Sequence, residues 1–200
     1  MAMTFRELVL QTHRWAGLGA SVVLAVVGLT GVALIWPYRL GDWARTMSRL
    51  HTRLLIGEPG EWLVITATVL SSLLILGGVY LWWKRKILSI ALRRGWWRAL
   101  FDFHHLFGLV GTIIMLVLSL SGIGLVLTEV ELEEGQTPPP RTEAEIATRR
   151  TVHDLHTGRN YSLPMKLVYA AGSLGFLLQS ATGFLMWWKP QKSRSDDDTA

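Results

Sequence analysis

Six histidines and no cysteine define the metal chemistry open to this chain, and the histidines stand at places that recur when the sequence is laid over itself. His13-Arg14-Trp15-Ala16-Gly17-Leu18 matches His104-His105-Leu106-Phe107-Gly108-Leu109, and Thr30-Gly31 matches Ser121-Gly122 at the same distance downstream. Leu50-His51-Thr52 likewise matches Leu155-His156-Thr157, and Trp82-Trp83-Lys84 matches Trp187-Trp188-Lys189. Each copy therefore carries two histidine stations. Neutral imidazoles from opposite sides of a macrocycle ligate haem iron, so two histidine pairs in apolar surroundings point to two haems. Without cysteine there is no disulfide, no thiolate-bound metal and no covalent attachment through Cys-x-x-Cys-His, so such a haem is held non-covalently.

The expected ligands are His13 with His104 and His51 with His156, and His105 and His153 are alternates or supporting groups because neither has a histidine in the other copy. Gly17 and Gly108 follow the first histidine of each copy by one helical turn and leave room for a porphyrin edge. Arg14, Arg98, Arg49, Arg53 and Arg159 are candidates for pairing with haem propionates. The same residues have plainer readings. A histidine at a membrane border can serve in a hydrogen bond alone, and duplication copies any histidine. The two Trp-Trp-Lys runs read as aromatic-belt anchors, and Gly77-Gly78, Gly183 and the hydroxyl-glycine pairs read as helix-packing contacts.

Positioning these histidines falls to long apolar elements. Half of the 200 residues are hydrophobic, and four apolar stretches, roughly Trp15 to Trp36, Trp62 to Trp83, Leu106 to Thr128 and Met165 to Trp188, can each cross a bilayer core of about 30 Å. The expected fold is all-α: an integral-membrane four-helix bundle of two tandem two-span repeats, with short amphipathic helices on the outer surface. It forms one membrane domain over 1–200, repeat one about 4–86 and repeat two about 95–190. The first stretch is too long for a signal core and ends in Ile35-Trp36-Pro37, so it is expected to be retained.

Between spans two and three stand Lys84, Arg85, Lys86, Arg93, Arg94 and Arg98 against the single acid Asp102. The positive-inside rule then puts this connection and both termini in the cytoplasm. The second outward connection is acidic through Glu129, Glu131, Glu133 and Glu134, so the formal net charge of +5 reflects topology and gives no sign of nucleic-acid binding.

Local signals place the histidines along these elements. Thr4 with Glu7 and Thr142 with Glu145 have the spacing of capping boxes. A helix from Thr4 is expected to run to Pro37 with His13 inside it. Trp43, Met47, Leu50, His51, Leu54 and Leu55 share one helical face and Arg45, Arg49 and Arg53 the other, as in a helix lying on the membrane surface with His51 turned to the bundle. Glu58-Pro59-Gly60 starts span two, Pro138-Pro139-Pro140 reads as an extended linker, and Gly158 stops the helix that carries His153 and His156. Two copies that each cross the membrane twice keep one orientation, so His13 is expected beside His104 near the inner face and His51 beside His156 near the outer face.

The run from His13 to Leu18 leading to Thr30-Gly31, with Leu155-His156-Thr157-Gly158 before the last span, resembles the PepSY-associated transmembrane helix family of bacterial inner-membrane proteins. The resemblance covers all four spans. It implies haem b at His13, His104, His51 and His156, and transmembrane electron transfer of the ferric-reductase type, with ferric iron or a ferric siderophore as acceptor in the periplasm. Many members carry a periplasmic PepSY domain between spans, whereas the first outer connection here runs only from Pro37 to Glu61.

The expected function is transfer of electrons from a cytoplasmic flavin reductase or a quinol, across the lipid bilayer of the inner membrane, to a periplasmic acceptor or partner protein. No residue is assigned a catalytic role. Two other readings use the same histidines: a redox-silent membrane subunit that stabilises a larger complex, and a divalent-metal site or transporter at the outer pair. The scarcity of carboxylates within the spans argues against ion transport.

Overall fold

The computed structural model describes residues 3–83, 90–128 and 141–188. Within them the chain forms six α-helices: α1 (Phe5–Leu34), α2 (Trp43–Arg53), α3 (Glu58–Trp83), α4 (Trp96–Leu127), α5 (Glu143–Thr157) and α6 (Leu163–Trp188). A long, a short and a long helix thus follow one another twice. The Lys84 to Lys86 run, the acidic run at Glu129 to Glu134 and the Pro138 to Pro140 linker lie outside the described residues.

α1, α3, α4 and α6 are each long and apolar enough to cross a membrane. Their outward residues are apolar as well: Val22, Leu73, Val110, Ile113 and Leu127 are all more than half exposed. In water such faces would aggregate, whereas in a bilayer they meet lipid. Trp15, Trp62, Trp83, Trp96 and Trp188 are exposed near the ends of these helices, where amphipathic rings suit the headgroup region.

α1 packs on α3 and α6, and α4 packs on the same two, so α1 and α4 face each other across the bundle. Lipid supplies no hydrophobic force between helices, and close approach of small residues takes its place. At Gly28 of α1 a Cβ would stand 2.6 Å from the Ser173 carbonyl of α6, a separation only glycine permits. On the opposite seam the Ser71 and Ser119 hydroxyls meet at 2.7 Å in the buried centre. Such a bond is worth only about 0.6 kcal/mol between membrane helices, so it sets register more than stability.

The ends of the elements depart from expectation in two places. α1 stops at Leu34 instead of reaching Pro37, because proline excludes the helical conformation from the preceding residue, and Trp36 sits at φ −121°, ψ 61° before a 3₁₀ turn. The amphipathic face of α2 ends at Arg53. Leu54 and Leu55 adopt left-handed backbone (φ 49° and 61°), turning the chain sharply into α3. Leu55 and, at the other end of α2, Trp43 point outward and join the exposed apolar surface. Both capping boxes form at Thr4 and Thr142, α3 opens on Glu58-Pro59, and Gly158 closes α5 at φ 58°.

Candidate histidine sites

Two long helices and two short ones bring four histidines into two pairs. His13 of α1 and His104 of α4 lie with ring centres 6.4 Å apart and planes at 89°. His51 of α2 and His156 of α5 lie 6.1 Å apart with planes at 56°. The pairs stand at opposite ends of the bundle: α1 carries His13 near its start and, at Thr30, touches His51, an axial distance of about 26 Å at the α-helical rise.

What orients three of the four rings is a hydroxyl on a neighbouring helix. His51 Nδ1 lies 3.0 Å from Thr30 Oγ1, and that hydroxyl donates its own proton to the Val26 carbonyl at 2.8 Å. Its oxygen is then left to accept, so Nδ1 carries the hydrogen. His104 Nδ1 lies 2.7 Å from Thr182 Oγ1, whose proton goes to the Leu178 carbonyl at 2.7 Å. His156 Nδ1 lies 3.2 Å from Ser121 Oγ and 3.1 Å from the Leu118 carbonyl, which can only accept. All three rings are thereby held as the Nδ1–H tautomer, with the Nε2 lone pair uncommitted. This is the arrangement that prepares a histidine to ligate a metal through Nε2.

Glycines let the rings lie against the helices. A Cβ on Gly31 would stand 3.5 Å from His51 Cε1, on Gly122 3.1 Å from His156 Cε1, on Gly183 3.5 Å from His104 Cε1 and on Gly78 3.4 Å from His13 Cε1. The hydroxyl-glycine pairs thus contact the histidines as well as neighbouring helices, Gly31 lying nearest Ser173 of α6 and Gly122 also near Thr68 of α3. Their one legible signal was position, since each pair recurs at a fixed distance from a histidine or a Trp-Trp run.

At the His13 end a cavity of about 420 Å³ opens between the helices, lined by His13, His104, His105, Gly17, Gly108 and Arg14 among others. Both glycines expected to flank a macrocycle therefore border open space, although Gly108 also accommodates the Gln179 amide, which donates to the His104 carbonyl at 3.1 Å. Trp82 and Trp187 line the cavity too, while Trp83, Trp188 and part of Trp187 are exposed as belt anchors would be.

The remaining candidates divide. His105 borders the cavity but has Nδ1 2.8 Å from the Phe101 carbonyl, its ring against Phe101. His153 sits 3.7 Å from Asp154 and borders a separate surface hollow with Arg141, Arg149 and Arg150. Arg14 lines the cavity. Arg98 is instead paired with Asp102 at 3.0 Å, and Arg53 with Glu61 at 2.9 Å. Arg49 and Arg159 are exposed. Arg6, not among the expected cations, also lines the cavity. It precedes His13 by two helical turns on the same face, which was the available signal.

Asp102, read at first only as the lone acid of a basic connection, is the most deeply buried charged residue described, at 1% exposure. It accepts hydrogen bonds from the Ala91 amide at 3.1 Å and from Arg98, tying the approach to α4 onto the helix two residues before His104.

Outside the spans, burial sets the charge of the second pair. The His51 ring is pushed down to about 4 by burial first and then by the neighbouring His156, and burial lowers His156 as well. Both are neutral at physiological pH, the form that ligates. An imidazole nitrogen binds a first-row metal at about 2 Å, so two rings facing one metal from opposite sides have centres about 6 Å apart. Both observed separations fit that requirement. Among the described residues no group of three His, Cys, Asp or Glu gathers as a closed cation site would need.

The sequence profile described as the PepSY-associated TM region matches residues 38–149 and again residues 131–189. No match was found among curated proteins or solved structures. With four apolar helices in contact with lipid and most of its length matched by that profile, the chain is a multi-pass membrane protein and belongs to the PepSY-associated TM region family.

Proposed function

We propose that the protein binds two b-type haems non-covalently, one between His13 and His104 and one between His51 and His156, and carries electrons across a bacterial inner membrane. The observation that carries this reading is the pairing itself: two sets of imidazoles about 6 Å apart, at opposite ends of one bundle, three of the four rings with Nδ1–H engaged and Nε2 free. Haem supplies one-electron chemistry. The chain's contribution is to hold neutral imidazoles in fixed orientation, to exclude water with apolar helices, and to span the membrane with a station near each end.

The cavity cations Arg6 and Arg14 are suited to anionic propionates. The arginines near the start of α4, with Lys84 to Lys86 before them, favour a cytoplasmic location for the His13 end and for both termini. Electrons then enter from a flavin reductase or a quinol at that end and leave at the His51 end to a periplasmic acceptor, ferric iron or a ferric siderophore being suited to such a route. The short connection between α1 and α3 favours an acceptor presented by a partner protein.

Two measurements test this reading. Pyridine haemochrome assay of the purified chain is expected to give close to two acid-acetone-extractable haems b per chain. Proteoliposomes loaded with donor are expected to reduce an impermeant ferric chelate outside, and to lose that activity with His51→Ala. A colourless protein would overturn the reading in favour of a redox-silent subunit of a larger complex, and equal rates for native and His51→Ala would overturn a relay through both sites.

A further inference from the structure

The four histidines are not equally held. Three have a hydroxyl at Nδ1, from Thr30, Ser121 and Thr182, and each hydroxyl residue is followed by the glycine on which the same ring lies. At the fourth, His13, the glycine is present as Gly78 but the residue before it is Gly77, where alignment on the Trp-Trp runs puts Thr182 in the other copy. His13 Nδ1 is buried and has no hydrogen-bond partner. The Leu74 backbone lies near it, and no side chain bonds it. A buried ring nitrogen without a hydroxyl partner is held less firmly, and the other three sites avoid that cost.

We propose that Gly77 makes His13 the exchangeable ligand of its pair, leaving that face of the metal open to a small axial ligand such as carbon monoxide. This rests on the haem reading given above. An Nδ1–H engaged by an acceptor fixes the ring plane and strengthens electron donation at Nε2, and losing such a partner weakens metal affinity by about 10–100-fold. His104, held by Thr182 across the same site, keeps both advantages. His13 has neither, and it borders the 420 Å³ cavity, into which a released ring and an incoming diatomic molecule can be accommodated. The His51/His156 end, with hydroxyls on both rings, is closed by comparison.

The site admits a direct repair. A Cβ at position 77 would lie 3.8 Å from His13 Nδ1 and 3.6 Å from Val9 Cγ1, ordinary contact distances, so a serine hydroxyl fits between them and reaches Nδ1. The test uses the full-length, haem-loaded protein in detergent, reduced with dithionite and titrated with carbon monoxide while the Soret band is followed. In the native chain about half of the haem is expected to bind the gas. Gly77→Ser is expected to bind it about tenfold more weakly, while Gly77→Ala, which adds the same Cβ without the hydroxyl, stays like the native chain.

Thr30→Val provides an independent arm at the other end, where removing a hydroxyl is expected to make the second haem reactive as well. Two haems by pyridine assay with no carbon monoxide uptake in the native chain, or unchanged uptake in Gly77→Ser, would overturn the asymmetry and leave the haem reading standing. Absence of haem would overturn both. Should Gly77→Ser fail to fold, an unreactive second haem in Thr30→Val would count against the role assigned to the hydroxyls and so against the proposal.

Discussion

The Tyr169 hydroxyl of α6 donates a 2.7 Å hydrogen bond to the Leu155 carbonyl of α5, one residue before His156. The same ring lies against Gly158, where a Cβ would stand 2.9 Å from Tyr169 Cδ1. One aromatic side chain in the last span thus fixes both the final turn and the cap of the helix that carries His156. On the other side of the pair, Arg53 bonds Glu61 at the start of α3 and sets the end of α2 beside its own histidine.

Gly158→Val is therefore expected to displace α5 more than a surface substitution would, because it combines a β-branched side chain at φ 58° with a collision against Tyr169. A loss of about 2 kcal/mol or more is expected in thermal melts in detergent. Tyr169→Phe removes only the hydrogen bond and should cost about 1 kcal/mol. Equal effects of the two would show that the ring contact is unimportant.

Ligand substitutions should act in pairs. His13→Ala and His104→Ala are expected to remove, or convert to high spin, one and the same haem signal, and His51→Ala and His156→Ala the other, as judged by low-temperature absorption and electron paramagnetic resonance. His105→Ala and His153→Ala should leave both low-spin signals in place, since the His105 ring is held against Phe101 and His153 stands beside Asp154. Loss of a signal with His105→Ala would reassign the doublet at 104 and 105.

Replacing Asp102 by alanine removes the acceptor of both the Ala91 amide and Arg98 from a buried position. The expected loss is about 2 kcal/mol, moderated because Arg98 is partly exposed and can turn to solvent or lipid headgroups. Perturbation should centre on the His13/His104 signal and spare the other end. An equal effect on both signals would indicate general loosening of the bundle.

Acid should weaken the haem-free chain through the second pair. His51 and His156 are held below the ordinary histidine value, to about 4 for His51, so the unfolded chain binds more protons than the folded one between that value and about 6.5. Their neutral burial is fully tolerated above about pH 6.5, and stability declines as pH falls through the window towards 4. Thermal melts of apoprotein at pH 7.5, 6 and 5 check this, and the decline should be reduced when both are replaced by glutamine. A flat profile in the native apoprotein would show that these rings are not buried neutral.

The four spans, the two capping boxes, the proline start of α3 and the glycine stop of α5 were all legible in the sequence, because each depends on composition or on residues within one helical turn. The pairing of His13 with His104 and of His51 with His156 was legible too, through correspondence between the two halves. Three features had no such local signature. Leu54 and Leu55 carry side chains that ordinarily avoid left-handed backbone, and they adopt it because α3 must begin directly beside Arg53, where Gly60 alone leaves room for its carbonyl. Arg98 and Arg53 looked free for anionic ligands until packing gave them Asp102 and Glu61.

The last feature is the set of hydroxyls on the histidine rings. Thr182 lies 78 residues from His104, and Thr30 lies 21 from His51. A threonine in a membrane helix is satisfied by its own backbone carbonyl, so beyond its recurring position nothing in the sequence distinguishes one that also accepts from an imidazole on another helix. Periodicity and duplication determine which residues reach each end of the bundle. Only the packing of α2 on α1, of α5 on α4 and of α4 on α6 decides which nitrogen of three rings is engaged, and that of α1 on α3 sets Gly77 where the fourth would need a hydroxyl.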